Sequence, residues 1–115
     1  MQLTSRSVDS VTVLALEGWF DARMAPAVRE WFDVATRAEP ARVVVNLADV
    51  TFIDSSALAA LVNGMKRCQQ QGGKLRLSNL QSPVRSIFEL TRLDRALEIH
   101  PDEASAVGTP WEPAQ

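Results

Sequence analysis

The apolar residues change period several times along the chain, and each change marks an element. In "VTVLALEG", Val11, Val13 and Ala15 alternate with Thr12, Leu14 and Leu16, and both faces become apolar toward the end. This predicts a strand lying centrally in a sheet, preceded by a shorter strand and a turn at Asp9-Ser10. Beyond Pro26, a residue suited to the first turn of a helix, Val28, Trp31, Phe32 and Ala35 recur at helical spacing with Arg29, Glu30, Asp33 and Arg37 between them. Glu39-Pro40 ends that helix, and "ARVVVNL" is a β-branched run of the kind found in a strand covered on both faces.

Leu58, Leu61, Val62, Met65 and Cys68 form the next apolar stripe, so a second helix is expected from Ser55 or Ser56 to just before Gly72-Gly73. "KLRLSN" alternates as a short strand, Ser82-Pro83 opens a helix carrying Val84, Ile87 and Phe88, and "ALEI" reads as a last short strand. The alternation predicts one α/β domain over residues 1–107: a mixed sheet with an N-terminal hairpin, parallel crossovers after it, and helices packed on it. Residues 108–115, with two prolines and no periodicity, read as an unstructured tail.

Composition narrows the partners. A chain of 115 residues is the size of one domain, and a net charge of −2 leaves no basic excess for a phosphate backbone or an anionic membrane. Neither direct nucleic-acid binding nor membrane association is expected. No apolar run is long enough to span a bilayer, and "MQLTSRSVDS" has no leader pattern, so a cytoplasmic location is expected. One cysteine and one histidine, Cys68 and His100, supply neither a disulfide nor a ligand cluster, and no metal or cofactor is expected. Cys68 continues an apolar stripe and reads as core, while Arg85, Arg92 and Arg95 read as solvated charge.

The chemistry-bearing stretch is "VVVNLADVTFIDSSALAALVNGMKR", where Asp54, Ser55 and Ser56 join a buried strand to a helix. A Ser or Asp there is first of all a helix cap. The reciprocal Glu or Gln of a capping box is missing, because Leu58 and Ala59 follow the two serines at that spacing, so one serine hydroxyl is expected to cap while the other stays free at the mouth of the loop. The carboxyl end of a strand, facing the positive end of the next helix, is also where α/β sheets place their chemistry, and a phosphate is tolerated there. Trp19, in a turn beside Asp21 and without periodic apolar context, is either a candidate interface anchor or partly buried under the next helix.

Catalytic alternatives fit less well. A phosphoaspartyl receiver with Asp54 as acceptor needs an acidic cluster after an early strand and a lysine after a late one, yet Glu17 is read as having no acidic neighbour and the lysines are Lys66 and Lys74. A serine hydrolase fits less well still, because "IDSSA" is not the Gly-x-Ser-x-Gly elbow and an unpartnered His100 beside Pro101 reads as a surface residue.

"VTFIDSSALAALV" resembles the phosphorylation segment of the bacterial anti-sigma factor antagonists, members of the STAS domain family, which reads Asp-Ser-Ser-Gly before a Leu-rich helix. "VLALEGWFDARMAPAVRE" is similar to the family's second strand, Gly-x-x-Asp turn and first helix, and "SPVRSIFELTRLDRALEI" to its last long helix and strand. The resemblance implies phosphorylation at Ser55, with Asp54 and Asp21 near the site; Ser56, next in the triplet, and Trp19, beside Asp21, are expected with them at the partner surface. It implies no catalysis by this chain. The implied partners are an anti-sigma factor that is a serine kinase, captured when Ser55 is unmodified so that a sigma factor is released, and a serine phosphatase that restores binding. A related reading is a STAS-type interaction module without a phosphorylation cycle, associated with a transporter or a signalling scaffold. Ala57 stands where the family has Gly, either as a plain first-turn residue or as a methyl obstructing the kinase.

Overall fold

The computed structural model describes residues 2–111. Strand β1 (Gln2–Val8) and strand β2 (Val11–Phe20) form the expected hairpin, closed by Asp9 and Ser10, both at positive φ as a two-residue turn requires. Helix α1 (Ala25–Ala35) follows, with Pro26 in its first turn, and then the long strand β3 (Arg42–Ile53), which is parallel to β2. Helix α2 (Ser55–Gln70), strand β4 (Lys74–Ser78), helix α3 (Ser82–Leu90) and, after a short helix α4 (Leu93–Ala96) that was not anticipated and takes Ala96 out of the expected last strand, strand β5 (Glu98–His100) complete the alternation. The strands lie in sequence order, β1 to β5, so β3 is the middle strand and β2 is interior beside it.

The main core lies between one face of the sheet and α1, α2 and α3, where Leu14, Leu16, Val43, Val45, Leu47 and Leu77 meet Val28, Phe32, Leu61 and Phe88. Two glycines set its close approaches. A Cβ on Gly64 of α2 would lie 2.5 Å from the Phe32 ring, so the bare backbone there lets α1 and α2 close together. A Cβ on Gly73 would lie 1.8 Å from the Ala41 carbonyl oxygen, which fixes glycine at the exit from α2. Cys68 is fully buried in this core, and burial pushes its thiol pKa up to about 12.

The opposite face of the sheet carries the largest departure from the sequence reading. A further helix, α5 (Glu103–Gly108), capped by Asp102 through the Ser105 N–H at 2.8 Å, packs there with Ala106, Val107 and Trp111 against Val11, Val13 and Val44. Residues 108–111, expected to begin an unstructured tail, are held by a buried arginine; residues 112–115 lie outside the described residues. Arg76 on β4, 1% exposed, donates to the carbonyls of Ala106 (2.9 Å), Thr109 (2.7 Å) and Pro110 (2.6 Å), and its guanidinium lies 3.8 Å from the Trp111 ring centroid. Glu98 on β5 forms an ion pair with Arg76. The same carboxylate is 2.7 Å from His100 Nε2, so His100 is partnered and half-buried rather than a lone surface residue.

Candidate functional site

The site forms where β2 and β3 end side by side. The two strands are parallel with two register shifts, at Ala15/Glu17 and Gly18/Trp19, and Gly18 takes φ +101°, a conformation that favours glycine. Past these bulges Phe20 and Ile53 sit opposite each other in the core, and both chains turn into helices. The Asp54 N–H donates to the Phe20 carbonyl at 3.3 Å, which ties the second turn to the first.

Asp54 caps α2. Its backbone is extended, Oδ1 accepts the Ala57 N–H at 3.0 Å, and Oδ2 accepts the Ala22 N–H of the β2–α1 loop at 3.1 Å. One carboxylate thus satisfies a helix N-terminus and clamps two loops together. The cap is the aspartate, so neither serine has that role: Ser55 and Ser56 are the first two residues of the helix, Ser55 exposed and Ser56 half-buried. No acidic side chain lies in the first turn of α2, which leaves its dipole balanced only by Asp54.

Asp21 closes the neighbouring turn. Its Oδ1 accepts the Arg23 N–H at 3.0 Å, its Oδ2 pairs with the Arg23 guanidinium at 2.8 Å, and its carbonyl accepts from Met24 and Ala25. The hydrogen bond from Arg23 holds the Asp21 carboxyl below its ordinary pKa. The clamp from Asp54 to Ala22 therefore sets the Asp21 turn beside the first turn of α2. Trp19 is 57% exposed and packs on Phe52, 44% exposed, with centroids 5.3 Å apart and planes at 42°. Trp19, Asp21, Arg23 and Met24 line an open depression of about 390 Å³.

All five residues singled out from the sequence lie on these two adjoining turns or the strand leading into them. Three relevant residues were missed. Phe52 is exposed while Val50 and Ile53 on either side are buried, a phase break visible in "VTFID". Arg23 gave no signal beyond being two residues from Asp21. Asp49 lies opposite Glu17 in the β2–β3 register, so Glu17 does have an acidic neighbour, across strands rather than along the chain. Among the described residues no three His, Cys, Asp or Glu side chains come together as a metal-binding group, and no helix is long and apolar enough to cross a membrane.

The Ala57 side chain is fully buried in the main core. Its methyl is thus directed into the protein, away from the surface on which Ser55 is presented.

Comparison with known proteins identifies the family and the fold. The anti-sigma-B factor antagonist of Bacillus subtilis is 32% identical over 84 residues, covering 73% of this chain and 76% of its own. The anti-sigma F factor antagonist of Paenibacillus polymyxa is 25% identical over 108 residues, covering 93% and 92%. The crystal structure of a putative anti-sigma factor antagonist from Thermotoga maritima superposes with a TM-score of 0.86 at 27% identity, covering 92% of each chain. The STAS domain family model matches residues 2–106, and the chain belongs to the STAS domain family.

Proposed function

We propose that the protein is an anti-sigma factor antagonist whose binding is switched by phosphorylation of Ser55. Unmodified, it captures an anti-sigma factor that is a serine kinase, and a sigma factor is released; a serine phosphatase resets the phosphorylated form. The chain is a substrate and a binding partner rather than a catalyst, acts in the cytoplasm, and needs no cofactor and no direct contact with nucleic acid. The observation that carries this reading is the division of labour at the start of α2, where Asp54 caps the helix and leaves the exposed Ser55 hydroxyl available. Asp21, Ser56 and Trp19 complete the partner surface.

The physics of the switch follows from charge. A phosphate adds about −1.5 to −2 charge. At the first residue of α2 it meets the positive end of the helix, and the free protein solvates the remainder. In a complex, the same phosphate must be desolvated beside Asp54 and near the Asp21 turn, a like-charge arrangement that penalises binding and leaves the fold intact. A penalty of at least about 1.4 kcal/mol lowers affinity tenfold.

The test uses the kinase candidates of the source organism, with and without ATP. Mass spectrometry of the peptide from Phe52 to Lys66 should place one phosphate on Ser55, and titration calorimetry should give at least tenfold weaker binding of the phosphorylated protein. Phosphate on Ser56 or Asp54 alone rejects the residue assignment. Equal affinity of the two forms rejects the switch and favours an interaction module without a phosphorylation cycle.

A further inference from the structure

The outer face of the sheet, on which α5 packs, is covered over only part of its length. α5 lies over Val11, Val13 and Val44, and its first residue, Glu103, reaches as far as Asn46 Nδ2 at 3.1 Å. Beyond that row the face is open. Two successive pairs of β2 and β3 occupy it: Glu17 opposite Asp49, then Trp19 opposite Phe52. Their neighbours Val50, Phe20 and Ile53 are in the main core, so these four side chains project from the other side, and all four are exposed. The remaining exposed large apolar residues among those described, Val34 and Leu90, belong to different helices, α1 and α3; Trp19 and Phe52 form an aromatic contact.

The carboxylates beside that contact are uncompensated. Glu17 is flanked in register by Gln2 on β1 and Asp49 on β3, and among the described residues neither Glu17 nor Asp49 has an ion-pair partner. Arg6, the arginine of β1, is engaged by Glu103 of α5. Like charges directly opposite on neighbouring strands destabilise a sheet. An aromatic plate with two unpaired carboxylates at its edge is complementary to a guanidinium, which stacks on the ring and donates to the acids. The molecule uses this combination internally: Arg76 lies over Trp111 and pairs with Glu98, on the covered half of the same face. Among the described residues, the open half has a tryptophan and two carboxylates but no arginine over the ring.

We infer that Trp19, Phe52, Glu17 and Asp49 form a docking surface for an arginine-bearing segment of a protein partner, with the guanidinium laid against Trp19 and bonded to Glu17 and Asp49. This deepens the role assigned to Trp19 at the partner surface. Its test involves no kinase and no phosphate, so either reading can fail without the other.

The probe is the blocked peptide acetyl-Gly-Arg-Leu-Arg-Gly-amide, titrated to millimolar concentration into the full chain and followed by ¹⁵N–¹H NMR. The expected result is saturable shifts of the Trp19 indole N–H and of the Glu17 and Asp49 amides, abolished by raised salt and absent with the Glu-for-Arg peptide. Glu17→Gln combined with Asp49→Asn should weaken binding at least tenfold. The same double variant should melt at or above the temperature of the parent, because it removes a repulsive pair. That combination separates a binding role from a structural one. Trp19→Ala should also abolish the shifts, and Ser55→Ala should leave them unchanged. Equal shifts with the acidic peptide, shifts centred elsewhere, no shifts, or a clear loss of stability in the double variant would each overturn the inference. Self-association that increases with concentration and is lost in Trp19→Ala would also overturn it and make a second copy of the chain the occupant.

Discussion

Replacing Asp54 and Ser55 one at a time separates the helix cap from the switch. Asp54→Ala removes two hydrogen bonds, from Ala57 at 3.0 Å and from Ala22 at 3.1 Å. The first is an N-cap bond, whose loss costs about 1 kcal/mol. The second is a bond from a backbone N–H to a carboxylate in a solvent-accessible loop, so water replaces much of it and its loss costs about another 1 kcal/mol. Together these predict about 2 kcal/mol of destabilisation, or roughly 8 °C in melting temperature for a domain of this size. Ser55→Ala changes an exposed first-turn residue outside the cap and should stay within about 0.5 kcal/mol of the parent. Asp54→Asn should fall between them, because its oxygen still accepts from one N–H while its amide nitrogen faces the other. Urea and thermal melts of the three variants, beside a phosphorylation assay, measure both properties. A Ser55→Ala variant as unstable as Asp54→Ala would refute the division of labour, and with it the argument that the hydroxyl is free.

Three further outcomes follow from the packing. Ala57→Gly removes a buried methyl and lowers helix propensity, so it should cost about 1–2 kcal/mol in a urea melt, with the rate of Ser55 phosphorylation unchanged because the methyl faces the core. Gly64→Ala drives a methyl into the Phe32 ring and should lose about 1–2 kcal/mol despite the better helix residue, with part of the loss recovered by Phe32→Leu; a stabilised Gly64→Ala would show that the helices can separate. Burial alone would raise the Glu98 pKa, but the bond from His100 and the charges of Arg76 and Lys74 outweigh it and hold the carboxyl below its ordinary value. The stabilisation is therefore complete above the unfolded carboxyl pKa of about 4.3 and lost as pH falls through the lower folded value. NMR of the Trp111 indole, which donates to the Val107 carbonyl at 3.0 Å, should report loosening of the C-terminal segment in that acid window, and Glu98→Gln should remove the pH dependence.

The sequence was legible where structure is local. The period of Leu58, Leu61, Met65 and Cys68 and the β-branched run into Asp54 are properties of single segments, and they fixed α2, β3 and the position of the triplet. Arg76 was opaque. Alternation put it on the side of β4 opposite Leu75 and Leu77, which reads as solvent, and its cover comes from residues about thirty positions later. α5 is six residues long, Glu-Ala-Ser-Ala-Val-Gly, too short and too small-sided for a helical stripe, although Asp102 three residues before Ser105 was a capping signal. His100 offered a better clue. Glu98 and His100 are two apart on a strand and so share a face, which predicts their contact once β5 is extended to His100. The Glu17–Asp49 pair needed the β2–β3 register and its bulges, and nothing in either segment alone encodes it.

A serine that must accept a phosphate at a helix start is in conflict with a serine that caps the helix, because modification would remove the acceptor on which the first turn depends. The Asp54-Ser55 order resolves that conflict. Shifting the cap one residue earlier gives the backbone N–H of Ala57 and the neighbouring loop acceptors that phosphorylation does not touch, and it places Ser55 where its hydroxyl has solvent rather than structure to answer to. The arrangement also limits how far a charge change at Ser55 can propagate. Asp54 is bonded to Ala22, and Asp21 to Arg23, so the two turns are tied by groups that do not require the hydroxyl. A phosphate there alters the potential at the surface more than the geometry beneath it. The proposed switch therefore acts on the complex, where desolvation makes like charge costly, rather than through a rearrangement of the antagonist itself.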